Sequence, residues 1–159
     1  RFPQAEEQLL KCIELDSTFF MAYATLGSMN LMKRDWQQAL SWTQKAIKHE
    51  PDVANLYGQL GYIYIYLPDH FEEAEIALNK AFKMDPLDPM ILLMYTTLYS
   101  THNKLEKAMK YLDQALEIGA GKGRLSYMAL VMNPGLVALH KDPKWNELMK
   151  KYFPDKFKD

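Results

Sequence analysis

Apolar and polar residues alternate along this chain with a helical period almost from the first residue. From Phe2 to Leu15 the apolar or small residues fall at Phe2, Ala5, Leu9, Cys12 and Ile13, with Glu6, Glu7, Gln8 and Lys11 on the other faces. That spacing predicts a helix. Asp16-Ser17-Thr18 ends it and offers caps for a second helix over Phe19 to Lys33. In that helix Tyr23, Leu26, Gly27 and Asn30 form one stripe. Met21, Ala24, Ser28 and Leu31 form another, about 100° round the wheel. Lys33-Arg34-Asp35 reads as a turn, and Trp36 to Lys48 as a returning helix stopped at Pro51.

The same grammar then recurs. Tyr57, Leu60, Gly61 and Tyr64 take the places of Tyr23, Leu26, Gly27 and Asn30, and Leu67-Pro68-Asp69-His70 makes a turn one residue longer. Phe71 to Met84 returns, closed by Asp85-Pro86. A third round opens at Asp88-Pro89 and runs through Leu92, Tyr95, Thr96 and Tyr99. It turns at His102-Asn103-Lys104 and returns from Leu105 to Ile118. Thr96 stands where glycine stood, which predicts a slightly wider approach of the two helices. The pivotal alanines Ala5, Ala39, Ala74 and Ala108 are separated by 34, 35 and 34 residues. A fixed period of that length marks a helical repeat array.

Gly119-Ala-Gly-Lys-Gly123 replaces the closing Asp-Pro and ends the regular array. Beyond it Arg124 to Met132 has a helical pattern, Pro134 fits a helix start, and Leu136, Val137, Leu139 and His140 make a short turn or helix. Asp142 caps a last helix with Pro143 at its first position and Trp145, Leu148, Met149 and Tyr152 on one side. From Pro154 onward a frayed end is expected. The domain boundaries that follow are 1–17 (second helix of a partial repeat), 18–53, 54–87 and 88–120 (whole repeats) and 121–159 (helical cap).

These residues match a known pattern. An aromatic at the turn, Ala three residues on, a small residue seven further and a closing Asp-Pro, with Tyr57-x-x-Leu60-Gly61-x-x-Tyr64, resemble the tetratricopeptide repeat. The resemblance covers about residues 1 to 120, with departures at Asn30, Thr43, Thr96 and Gly119-Ala120. It implies an all-α fold, a right-handed α-α superhelix or solenoid closed by a C-terminal helical cap. It also implies a non-catalytic scaffold that binds a peptide or helix on its concave face. Carried over by register, that face holds Met21, Ala24, Ser28 and Leu31; Asn55, Gly58, Tyr62, Ile65 and Tyr66; and Met90, Leu93, Thr97 and Ser100. Family members that clamp a chaperone's terminal carboxylate use Lys, Asn and Arg at such places. Here Ala24, Ser28, Gln59, Met90 and Met94 stand there, so an apolar peptide or helix is the expected partner.

The tail, Pro134-x-Leu136-x-x-Leu139-His140-x-Asp142-Pro143-x-Trp145-x-x-Leu148, is similar to segments that close such arrays in bacterial multidomain proteins, nucleotide cyclases and transcription regulators among them. The alternative reading is therefore a structural or self-associating C-terminal segment of a larger regulator, with a homodimer as one outcome. The tail either caps the last repeat, fills the groove or dimer contact, or leaves the groove open.

Composition narrows the chemistry. The chain has 159 residues, 48% apolar and 25% charged, with a formal net charge of -1, which gives no electrostatic case for nucleic acid or an anionic membrane. The tail lysines are interleaved with Asp142, Glu147 and Asp155 and read as a solvated face. Cys12 is the one cysteine, so neither an internal disulfide nor a cysteine zinc site is expected. His49, His70, His102 and His140 show no metal-ligand spacing, and Gly119–Gly123 lacks the spacing and strand setting of a phosphate loop. No cofactor and no catalysis are expected. No apolar run reaches the ~18 residues of a membrane span. Without a signal peptide the expected location is the cytoplasm, and a start at Arg1 inside a repeat is expected of a piece of a longer protein.

Overall fold

The computed structural model describes residues 2–120 and 122–157, apart from the side chain of Phe2. Arg1, which opens the expected partial repeat, Gly121, inside the glycine run where the expected cap begins, and Lys158 and Asp159, at the end of that cap, lie outside the described residues, as does the contribution of the Phe2 side chain to the first stripe. The described residues are helices joined by turns: α1 (Phe2–Leu15), α2 (Phe20–Met32), α3 (Trp36–His49), α4 (Ala54–Tyr66), α5 (Phe71–Met84), α6 (Pro89–Thr101), α7 (Leu105–Gly119), α8 (Tyr127–Val131) and α9 (Pro143–Tyr152), with 3-10 helices at Pro134–Lys141 and Pro154–Lys156. They form two compact units, one ending at Met84 and the other beginning at Asp85.

In the first unit α2 pairs with α3 and α4 with α5, and α3 lies against α4. The alanine period explains the pairing. Ala39, Ala46, Ala74 and Ala81 are fully buried, because a methyl at each place lets two helices meet without a side chain holding them apart. Ala5 belongs to the same period but faces solvent on α1, which packs against α2. Tyr23, Ala46 and Leu56 form a core to which Ile13, Phe20, Trp42 and Val53 add their half-buried faces.

The hairpin turns share a backbone device that the residue types conceal. Arg34, Asp69 and Asn103 all sit in the left-handed region, at φ 59°, 59° and 56°, one per hairpin at the same place in the repeat. The Asp35 amide donates back to the Asn30 carbonyl at 2.9 Å, and Lys104 to Tyr99 at 2.8 Å, closing each first helix as a left-handed C-terminal cap does. Arginine is the least suited of the three to this conformation, which costs an L-residue about 1–2 kcal/mol. Glycine relieves that strain and gives back part of it as unfolded-state entropy. Arg34→Gly is therefore expected to stabilise the chain by roughly 0.5–1 kcal/mol, read as a higher urea midpoint at an unchanged slope.

Two local expectations are corrected. Asp16-Ser17-Thr18 does not cap α2: Asp16 Oδ1 accepts from the Thr18 amide at 2.9 Å and its hydroxyl at 2.6 Å, and the N-cap residue, Phe19, has no side-chain cap. The aspartate spends its acceptor on its own turn. Nor does one helix span Arg124 to Met132. α8 covers five residues from a Ser126 cap, whose Oγ accepts from the Ala129 amide at 3.1 Å. Gly123 at φ 70° and the Asn133-Pro134 step bound it on either side.

In the second unit α6 pairs with α7. Asp88 caps α6, its Oδ1 accepting from the Met90 amide at 2.9 Å, with Pro89 in the first turn. Thr96 is fully buried and donates from Oγ1 to the Leu92 carbonyl at 2.9 Å, so its hydroxyl is satisfied within the helix. The 3-10 helix Pro134–Lys141 packs on α6 and touches α7, while α9 packs on α7. Asp142 caps α9 as its position before Pro143 predicts, accepting from the Lys144 amide at 2.9 Å. Trp145 and Met149 are buried, and Leu148 and Tyr152 half-buried. Pro154–Lys156 forms a 3-10 turn where a frayed end was expected.

Candidate partner-binding face

The second stripe of α2 and of α4 remains largely open in the first unit. Met21, Ser28 and Asn55 are exposed; Ala24, Leu31, Tyr62 and Tyr66 are half-buried; Gly58 and Ile65 are buried. At the far end of α4 the rings pack on each other. Tyr62 and Tyr66 meet edge to face at 5.1 Å, and Tyr66 stacks on the Trp36 indole at 4.7 Å with 10° between planes. Trp36 thus comes from the start of α3 to support the aromatic end of the stripe, a part that its place in the alanine motif does not announce. Burial pushes the Tyr66 phenol well above its ordinary range, helped by its hydrogen bond with Tyr62 and opposed by Arg34. The Tyr66 phenol stays uncharged at any physiological pH.

Beneath the stripe lies a polar bridge. Gln59 is buried and donates from Nε2 to Thr43 Oγ1 at 3.0 Å and, more weakly, to the Ala24 carbonyl at 3.4 Å. Ser28 Oγ donates to Gln59 Oε1 at 3.3 Å. One side chain therefore joins α2, α3 and α4, and its buried polar atoms are satisfied. A methyl on Gly27 would lie 2.5 Å from Gln59 Nε2 and 2.7 Å from Thr43 Oγ1, so the glycine of this repeat makes room for the bridge. The side chains of Ser28, Thr43 and Gln59 form it with the Ala24 carbonyl, and none carries a local signal.

The third repeat is placed differently. Met90 is exposed, but Leu93, Thr97 and Ser100 are buried, Thr97 to 1%. A methyl on Gly135 would sit 2.4 Å from Thr97 Cγ2, so the backbone of the 3-10 helix rests directly on that threonine. The expectation of an open surface at Leu93 and Thr97 is corrected accordingly: the chain's own tail lies on this side of α6 and leaves a methionine at its margin. Register alone could not show it, since the covering glycine follows Thr97 by 38 residues, in a segment with no repeat period of its own.

His140, at the end of this segment, lies 4.3 Å from the Trp145 ring. Burial lowers its pKa below the ordinary value of 6.5, and a hydrogen bond to the Leu130 backbone partly opposes this. The unfolded chain then takes up a proton before the folded one does, so the contribution to stability is complete above about pH 6.5 and shrinks as the pH falls through the window below it. The urea midpoint is expected to drop between pH 7.5 and 5.5, and His140→Gln to lessen that drop.

Among the described residues no group of three or more His, Cys, Asp or Glu side chains is placed to hold a metal ion, and no helix is long and apolar enough to cross a membrane. Residues 54–86 match the family model described as tetratricopeptide repeat. The chain is 26% identical over 109 residues to the BBSome complex member BBS4 of Bos taurus, covering 69% of itself and 21% of that protein; it thus spans about a fifth of that relative's length. The crystal structure of MamA is similar at a TM-score of 0.63 and 30% identity, over 76% of this chain and 70% of that one. YrrB, described as a TPR protein with an unusual peptide-binding site, is similar at a TM-score of 0.63 and 20% identity, over 98% of this chain and 81% of that one.

Proposed function

The chain belongs to the tetratricopeptide repeat family and is a protein–protein interaction scaffold, and we propose that its first unit takes an apolar peptide or amphipathic helix across the open stripes of α2 and α4. One observation carries this reading. Met21, Leu31, Tyr62 and Tyr66 are left exposed or half-buried on two helices that the Gln59 bridge holds in place. Aromatic rings and methionine on a pre-formed surface suit such contacts, because they bury large area at low entropic cost and adapt in shape. Ser28 and Asn55 supply polar groups between them. No catalytic family is indicated by the likenesses above, and the proposed role is binding alone.

Met90, Leu93 and Thr97 stand on α6 in the second unit and are not part of this face. A peptide selected from a display library on the full chain provides the ligand for the test. Tyr62→Glu places a charge in the aromatic end of the stripe and is expected to weaken that peptide at least ~10-fold, about 1.4 kcal/mol or more. Circular dichroism of the variant checks that the helices remain. A folded variant with unchanged affinity would place the peptide elsewhere.

A further inference from the structure

A recess lies on a different stripe of α4, and the internal repeat says what is missing from it. The recess has a volume of about 220 Å³ and is lined by Tyr57, Leu60 and Tyr64 of α4 and by Ile76, Ala77 and Lys80 of α5, with Glu73 at its edge. It is open to solvent, with Ile76 68% exposed.

The second helices of the three hairpins align residue by residue through Ala39, Ala74 and Ala108. Three positions on, they carry Trp42, Ala77 and Tyr111. In the first hairpin the Trp42 ring lies 6.0 Å from Tyr23, the counterpart of Tyr57. In the third, Tyr111 stacks at 4.7 Å on Tyr95 and at 5.5 Å on Tyr99, the counterparts of Leu60 and Tyr64. Two of three hairpins thus fill this place with an aromatic ring of their own, and the middle one has only a methyl. The recess is the space that ring would take.

In the first hairpin a cation accompanies the ring; the third carries Gln114 at that place, and the middle one keeps the cation without the ring. Lys45 Nζ sits 4.2 Å from the Trp42 ring centre in the first hairpin. Lys80 is its counterpart. With no ring at position 77 it lies 4.0 Å from the centre of Tyr57 and donates to the Tyr57 hydroxyl at 2.7 Å, held at the rim of the recess. An ammonium beside an apolar, aromatic-walled space favours an electron-rich ring over an aliphatic group of similar size.

We propose that this recess binds a single aromatic side chain, an indole or a phenol, presented by a partner polypeptide. The ring takes the place of Trp42 and Tyr111 in the neighbouring hairpins, with Lys80 against its face. This contact is separate from the α2 and α4 face proposed above and stands or falls without it.

The test titrates the full ¹⁵N-labelled chain with N-acetyl-L-tryptophanamide, N-acetyl-L-tyrosinamide and, as the aliphatic control, N-acetyl-L-leucinamide. A lone side chain binds weakly, on the order of millimolar. The aromatic amides are expected to shift the amide signals of Leu60, Ile76, Ala77 and Lys80, and the leucine amide to shift them several-fold less. Ala77→Trp refills the space from within: it should melt higher than the parent and bind the aromatic amides at least tenfold more weakly. Lys80→Gln, an exposed change, should weaken the aromatic amides severalfold and leave the leucine amide as it was. The proposal is overturned if the aromatic amides cause no shifts at these residues or none beyond those of the leucine amide. It is overturned equally if Ala77→Trp melts lower than the parent or fails to fold, since the space then does not take a ring.

Discussion

Gly61→Val is expected to destabilise the first unit by about 2–4 kcal/mol, the upper range of overpacking in a closed core. A methyl at position 61 would already lie 2.6 Å from Leu78 Cδ2 and 2.7 Å from its Cγ, with the Ala74 carbonyl at 3.4 Å on another side. Leu78 is fully buried and has no solvent-side rotamer to swing into. A β-branched side chain adds two more carbons to that overlap, and α4 and α5 must separate along their length to admit it. Urea unfolding followed by far-ultraviolet circular dichroism reads the loss as a lower midpoint. The third hairpin shows that the cost belongs to this pair of helices rather than to the repeat position: there Thr96 fills the equivalent place, fully buried, with Leu112 at the counterpart of Leu78. A Gly61→Val variant as stable as the parent would mean that α4 and α5 are free to move apart.

Leu136→Ala and Leu139→Ala are each expected to cost the second unit about 2–5 kcal/mol, the range for deleting a fully buried leucine side chain. Both are at zero exposure, in the 3-10 helix that rests on α6. Val137 lies between them and is half exposed, so Val137→Ala should change stability by no more than about 0.5 kcal/mol. That contrast separates docking of the tail from a general effect of altering it. With the leucines truncated, the tail should also become open to trypsin at Lys141 and Lys144 under conditions in which the parent resists. Equal resistance in both would show that other contacts hold the segment.

The six helices from α2 to α7 were legible because one physical constraint repeats in them. Alanine recurs where two helices touch, aromatic and leucine residues recur beside it, and the extra residue in the Leu67–His70 turn disturbs the count by one without disturbing the pattern. The Asp142-Pro143 start of α9 was legible for a similar reason, since a capping carboxylate and a proline act within a single turn. What escaped is long-range. Gln59 reads as a polar residue on an apolar helix until α2 and α3 are folded against it. Leu93 and Thr97 occupy the same register as open residues in the earlier repeats, and only the non-periodic segment around Gly135 distinguishes them. The shared left-handed turn residue was hidden because arginine, aspartate and asparagine adopt in these hairpins the conformation that glycine usually signals.

The candidate face was legible as a stripe but not as a built surface. Met21, Tyr62 and Tyr66 follow from register. The Trp36 indole stacked on Tyr66, and the hydrogen bond from Gln59 to Thr43, tie the stripe to α3 and appear only once the helices are folded together.

The most direct measurement is a ¹H–¹⁵N titration of the full chain with a display-selected peptide, following every backbone amide. The expected result is a set of shifts concentrated at Met21, Ala24, Ser28, Asn55, Tyr62 and Tyr66, with the buried Leu93 and Thr97 undisturbed. Shifts that leave α2 and α4 silent would contradict the proposed face.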